Sequence, residues 1–154
     1  MRFEKVKLII LLIVLAVSMF AVFKIAQSDR HIPKENTIEV FNSNFDKFLD
    51  MVQYSEETAG YFYADNNSDR LIIDIGNRTD KMNNKKTNDT LLFIIKKLKF
   101  KGVYEDGDYI RFMRESGNDE QGILYLKNPN LSLTGIELEL IRGKWYYYIA
   151  KHVN

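Results

Sequence analysis

The chain has 154 residues, no cysteine and two histidines, His31 and His152. His31 follows closely on an apolar N-terminal run, and His152 is third from the C-terminus. A Ser-His-Asp site or a metallohydrolase needs a histidine held within hydrogen-bond reach of its partners, and chain ends and linkers are poorly ordered places to hold one. No HExxH, GxSxG or glycine-rich phosphate loop is present. Without cysteine there is no disulfide, thiolate nucleophile or thiolate metal site. Histidine- and thiolate-dependent chemistry is therefore not expected.

Carboxylates remain as acid/base candidates, since a glycosidase needs only two of them on opposite sides of the scissile bond. Glu56, Glu57, Asp74, Glu105 and Asp108 are the candidates, but the turn preference of Asp106 and Asp108 accounts for that pair. Asp65, Asn67 and Asp69 match positions one, three and five of a calcium loop. Arg70 stands where that loop needs glycine, and Gly76 where it needs glutamate, so a polar hairpin turn is the expected reading. No catalytic residue, cofactor or metal is assigned.

Two clusters suit binding instead. Trp145, Tyr146, Tyr147 and Tyr148 put aromatics on both faces of the last strand. Packing explains them first, because aromatics favour strands. A half-polar platform for peptide or sugar is the alternative, extended by Tyr61, Tyr63, Tyr104, Tyr109 and Tyr125. Lys96, Lys97, Lys99 and Lys101 gather at a helix end, where they complement the helix dipole or meet anionic lipid or a cell-wall polymer. Trp145, Tyr147, Lys96 and Lys97 are the expected interaction surface.

These residues need elements to hold them. Asn36 with Glu39 forms a capping box ahead of Ile38, Phe41, Phe45, Phe48, Leu49 and Val52, which predicts an amphipathic helix of about twenty residues. Residues 59–64 and 70–75 flank a polar turn and predict a hairpin, followed by a polar loop over 77–86. Asn88 or Asp89 would cap a second helix closing at Gly102. Strands follow at 103–104 and 109–114 around Asp106-Gly107, then at 122–127. Ile136, Leu138 and Leu140 alternate with Glu137 and Glu139, predicting a strand with one wet face. Arg142-Gly143 turns the chain into a strand over 144–151. The expected class is α+β, with two helices on one face of a mainly antiparallel sheet whose part from Gly102 to Lys151 is a meander.

Leu8 to Phe23 carries no charge and is bracketed by Lys5, Lys7 and Lys24. As a helix these residues reach about 24 Å, against a hydrocarbon core of about 30 Å. Ile25, Ala26 and the lysine stems extend them enough for a span. Cleavage after Ala26 would place Lys24 at the minus-three position, which signal processing does not favour. The organisation expected is a basic N-terminus (1–7), a transmembrane helix (8–26), a linker (27–35) and a globular domain (36–154). Arg2, Lys5 and Lys7 favour a cytoplasmic N-terminus with the domain outside. Residues 1–34 carry net +4 and the remainder −3, which argues against nucleic-acid binding. The Asn, Lys and Ile usage points to an AT-rich bacterial genome and a cell-surface setting.

The expected role is a single-pass membrane protein exposing a small non-catalytic binding domain to a membrane or cell-envelope protein or polymer. A pilin-like structural subunit is the alternative, and a carboxylate-dependent envelope hydrolase a further one. The order of apolar helix, amphipathic helix and antiparallel sheet resembles pilins in architecture. It departs from them where they carry a processing glycine and a glutamate five residues into the helix. Lys7 and Leu12 stand at those points, and Pro33 interrupts the helix.

Overall fold

The computed structural model describes residues 13–15, 17–19, 32–57, 61–70, 72–75, 78–81, 84–116 and 119–151. They fall in two compact units, Met1–His31 and Ile32–Asn154. In the first, residues 13–15 and 17–19 are helical, and the Ser18 hydroxyl donates to the Leu15 carbonyl at 2.9 Å. The rest of the expected span, and both histidines, lie outside the described residues. Among the described residues no helix is long and apolar enough to cross a membrane.

The second unit is α+β. Helix α1 (Lys34–Ser43) starts behind Pro33, whose φ of −59° already suits a helix entrance. Asn36 therefore lies inside the first turn and is not the cap. Helix α2 (Phe45–Glu57) follows after a break at Asn44. There the Asn44 amide side chain donates to the Val40 carbonyl at 2.9 Å, a local bond that competes with the helical ladder. The expected single helix is thus two, and its apolar stripe continues across the break through the buried Phe41, Phe48, Met51 and Val52.

Helix α3 (Lys85–Leu92) is capped by Asn84, whose side chain accepts from the Thr87 N–H at 3.2 Å. Asn88 and Asp89 lie within it. The helix widens over Phe93–Lys97, where the Leu98 N–H reaches back five residues to the Phe93 carbonyl. It ends at Lys99, which adopts a left-handed φ of 64°. Gly102 does not close it but opens a strand.

Eight strands form one sheet in the order β3-β2-β1-β4-β5-β6-β8-β7. The predicted hairpin is β1 (Tyr61–Asp65) with β2 (Ile72–Ile75), Tyr61 opposite Asp74. The segment read as a loop contains β3 (Arg78–Lys81), paired with β2. Strands β4 (Gly102–Glu105), β5 (Tyr109–Ser116) and β6 (Asp119–Leu126) are sequential antiparallel neighbours. The meander stops there. β8 (Trp145–Ala150) pairs with β6, and β7 (Ile136–Arg142) lies outside it as an edge strand. As an interior strand β8 has its backbone paired on both sides, and its aromatics alternate between the two faces. Gly143, at φ 55°, makes the turn between the two.

The helices cover one face of the sheet. Phe41, Phe48, Phe112 and Trp145 pack there in tilted and edge-to-face contacts at 4.9–6.4 Å. The other face holds a smaller cluster of Leu124, Leu126 and Tyr148, packed against Leu131 and Leu133. Gly122 lets Tyr148 close down on it, since a Cβ there would meet the Phe112 carbonyl oxygen at 2.0 Å and the Tyr148 ring at 3.0 Å.

Candidate interaction surface

Period-two alternation puts Tyr61 and Tyr63 on the sheet face opposite Phe62 and Ala64. Phe62 and Ala64 are buried in the helix-covered core, while Tyr61 is 53% exposed and Tyr63 38%. Cross-strand register carries this face on through Tyr104 and Arg111 to Leu124, Tyr146 and Leu140. Leu140 is 61% exposed. The edge strand β7 is wet on both faces where one was expected, the Glu139 and Glu137 side chains being 59% and 65% exposed. Its leucines face outward on the helix-free side, and Glu139 and Glu137 are taken up by Lys34 at 2.8 Å and Lys151 at 2.7 Å.

A polar network stiffens the centre of this face. Arg111 Nη1 lies 3.1 Å from Glu120 Oε1, and the Tyr148 hydroxyl donates to the same oxygen at 2.8 Å. The guanidinium also sits 5.7 Å from the Tyr104 ring centroid, a cation–π distance. Burial, then the Glu120 charge, pushes the Tyr148 phenol well above its usual range. Burial likewise raises Tyr104, helped by Asp65. Tyr109 is raised by burial and by its bond to Asp106 at 2.7 Å.

The expected surface residues separate. Trp145 and Tyr147 are 4% and 3% exposed, on the helix-covered side. There Trp145 stacks among phenylalanines and Tyr147 donates to the Gln121 side chain. Both side chains are thus largely buried, and Tyr147 also lines a cavity beside Lys34, Glu137 and Glu139. Tyr125 lies half-buried, 4.8 Å from Trp145. Lys96 and Lys97 are exposed, and the Lys96 ammonium donates to the Asn66 carbonyl.

Of the candidate carboxylates, Glu56, Glu57 and Asp108 are exposed, and the Asp74 side chain lies outside the described residues. Glu105 is buried, accepting from Ser55 Oγ at 2.7 Å and from the Lys127 ammonium, with its second oxygen unpartnered. Asp65 accepts from the Asn67 N–H and the Ser68 hydroxyl, as turn residues do. Among the described residues no three acidic, histidine or cysteine side chains are placed to hold a metal. A cavity of ≈ 130 Å³ between α2 and α3, lined by Asp50, Tyr54, Glu57, Lys86 and Thr90 among others, does not reach Glu105.

The exposed tyrosines were visible in the alternation of residues 61–64, but which face the helices cover was not. Comparison of the chain with protein families, curated proteins and solved structures yields no match.

Proposed function

We propose that the protein is a single-pass membrane-anchored binding protein whose C-terminal domain acts without catalysis, outside the cytoplasm, through the helix-free face of its sheet. The exposure of Tyr61, Tyr63 and Leu140 on one face carries this reading. The tyrosines lie on β1 and Leu140 on the far edge strand, with the buried Leu124 and Tyr148 between them, and exposed side chains of this kind mark interaction sites. The anchor rests on the uncharged run from Leu8 to Phe23. The Ser18 hydroxyl returned to a backbone carbonyl suits a helix in lipid, where free polar groups are costly. The partner is a membrane or cell-envelope protein or polymer.

A photo-crosslinking residue at position 63 or 140 of the full chain, in intact cells, should give a discrete adduct. The same residue at the exposed Lys85 should not. Equal yields from all three positions would remove the assignment of this face. Release of the protein by alkaline washing of membranes would remove the anchor.

A further inference from the structure

The sheet ends in two outer strands, β3 and β7, and among the described residues no strand pairs with the far side of either. Alternate residues of such a strand turn their N–H and C=O groups away from the sheet, where they invite another strand. Natural edges are blunted by shortness and by charge. β3 fits that description, being four residues long with Arg78, Asp80 and Lys81. β7 does not. It runs for seven residues and carries Leu138, 37% exposed, and Leu140, 61% exposed, on its helix-free side.

The charges of β7 are balanced on the spot. Lys34 holds Glu139 at 2.8 Å and Lys151 holds Glu137 at 2.7 Å, so the other side of the strand presents ion pairs in place of bare carboxylates. Regular pairing stops at the irregularity between Leu140 and Arg142, and a bulge bends a strand away from a new neighbour. The stretch open to another strand is therefore 136–140, and its middle residue is Leu138.

We propose that β7 pairs antiparallel with β7 of a second copy of this chain, about a two-fold axis through Leu138. This goes beyond the binding reading above and does not rest on the anchor. In that register Leu138 faces Leu138 of the second copy, Ile136 faces Leu140, and Glu137 faces Glu139. Directly opposed residues share a face of the sheet. The apolar residues of both copies thus meet on the helix-free side, beside the Leu124, Leu126 and Tyr148 cluster against which Ile136 already packs. The glutamates meet on the other side, where each copy brings its own Lys34 and Lys151. Symmetry makes this edge complementary to itself in both respects. An axis through Glu139 would instead oppose two identical carboxylates and carry the bulge into the pair. The contact is small, in the transient class that buries less than about 1,200 Å², and covalent trapping is the means to see it.

The chain has no cysteine, so each introduced thiol can be trapped alone. Opposed residues in an antiparallel pair have Cα atoms about 4.5–5.5 Å apart, within disulfide reach. Full-length Leu138→Cys, oxidised mildly in the cells that make it, should give a disulfide-linked dimer at about ten times the yield of the exposed Lys85→Cys. Ile136→Cys and Leu140→Cys should each stay monomeric alone and cross-link when co-expressed. Adding Leu138→Lys to that co-expressed pair should cut the yield about tenfold, because two ammoniums would meet at the axis, with far-UV circular dichroism of the purified chain unchanged. A yield at 138 no higher than at 85, or self-linking at 136 or 140 in place of 138, would overturn the pairing. A photo-crosslinking residue at 138 that captures a different protein and no second copy would assign this edge to a foreign strand and overturn it too. Failure of position 63 to give an adduct would count against the tyrosine face alone and leave the dimer standing.

Discussion

Glu105 shows how a residue type that invites a catalytic reading is absorbed by packing. Its carboxylate is buried against Ser55 and Lys127, and a charge so placed is costly unless paired. Lys127→Met should therefore destabilise the domain by about 2–3 kcal/mol in urea titration, discounted for the lysine's partial exposure. Adding Glu105→Gln should recover part of that loss, because it removes the carboxylate charge left buried without its partner. Gly122→Ala should cost about 2–3 kcal/mol, since the new methyl would collide with the Phe112 carbonyl. The tyrosines set an alkaline limit. Tyr148, Tyr104 and Tyr109 all have phenols raised on folding, so above pH about 10 the unfolded chain loses protons that the folded chain keeps. Their contribution is fully present below that pH and declines as pH rises towards the folded values. Thermal midpoints should be level, as far as tyrosine is concerned, from pH 8 to 9.5 and fall above about 10. The fall should be shallower in Tyr148→Phe.

The elements were legible where their signals are local, and misplaced where a neighbour decides. Apolar spacing found both helical stretches and most strands. The starts shifted because the first helix begins behind Pro33, with no side-chain cap, and because Asn84 rather than Asn88 caps the third. Asn84→Ala should cost about 1 kcal/mol, the usual loss for an N-cap acceptor. Lys99 ends the third helix in a left-handed conformation that glycine adopts more readily. Lys99→Gly should thus stabilise the domain by about 1 kcal/mol in thermal unfolding. In β7 the alternation was read correctly and one wet face was expected, but both are wet: the glutamates reach Lys34 and Lys151 at the surface and the leucines are left to solvent as well.

The second unit buries its helices against one sheet face, so it should melt in a single step. Emission from Trp145, its one tryptophan, and far-UV circular dichroism should give the same midpoint. Divergent midpoints would mean that the β1–β3 end and the β6–β8 end unfold separately. Composition and periodicity were enough to establish an α+β chain with an uncharged apolar run and no thiol chemistry, because these depend on residue type and on near neighbours. Two features came only with the tertiary structure: the insertion of β8 between β6 and β7, and the burial of Trp145 and Tyr147. Each depends on which distant segments meet across the sheet. Hydrophobic burial rewards any pairing that covers apolar area, and only the assembled sheet selects among those pairings.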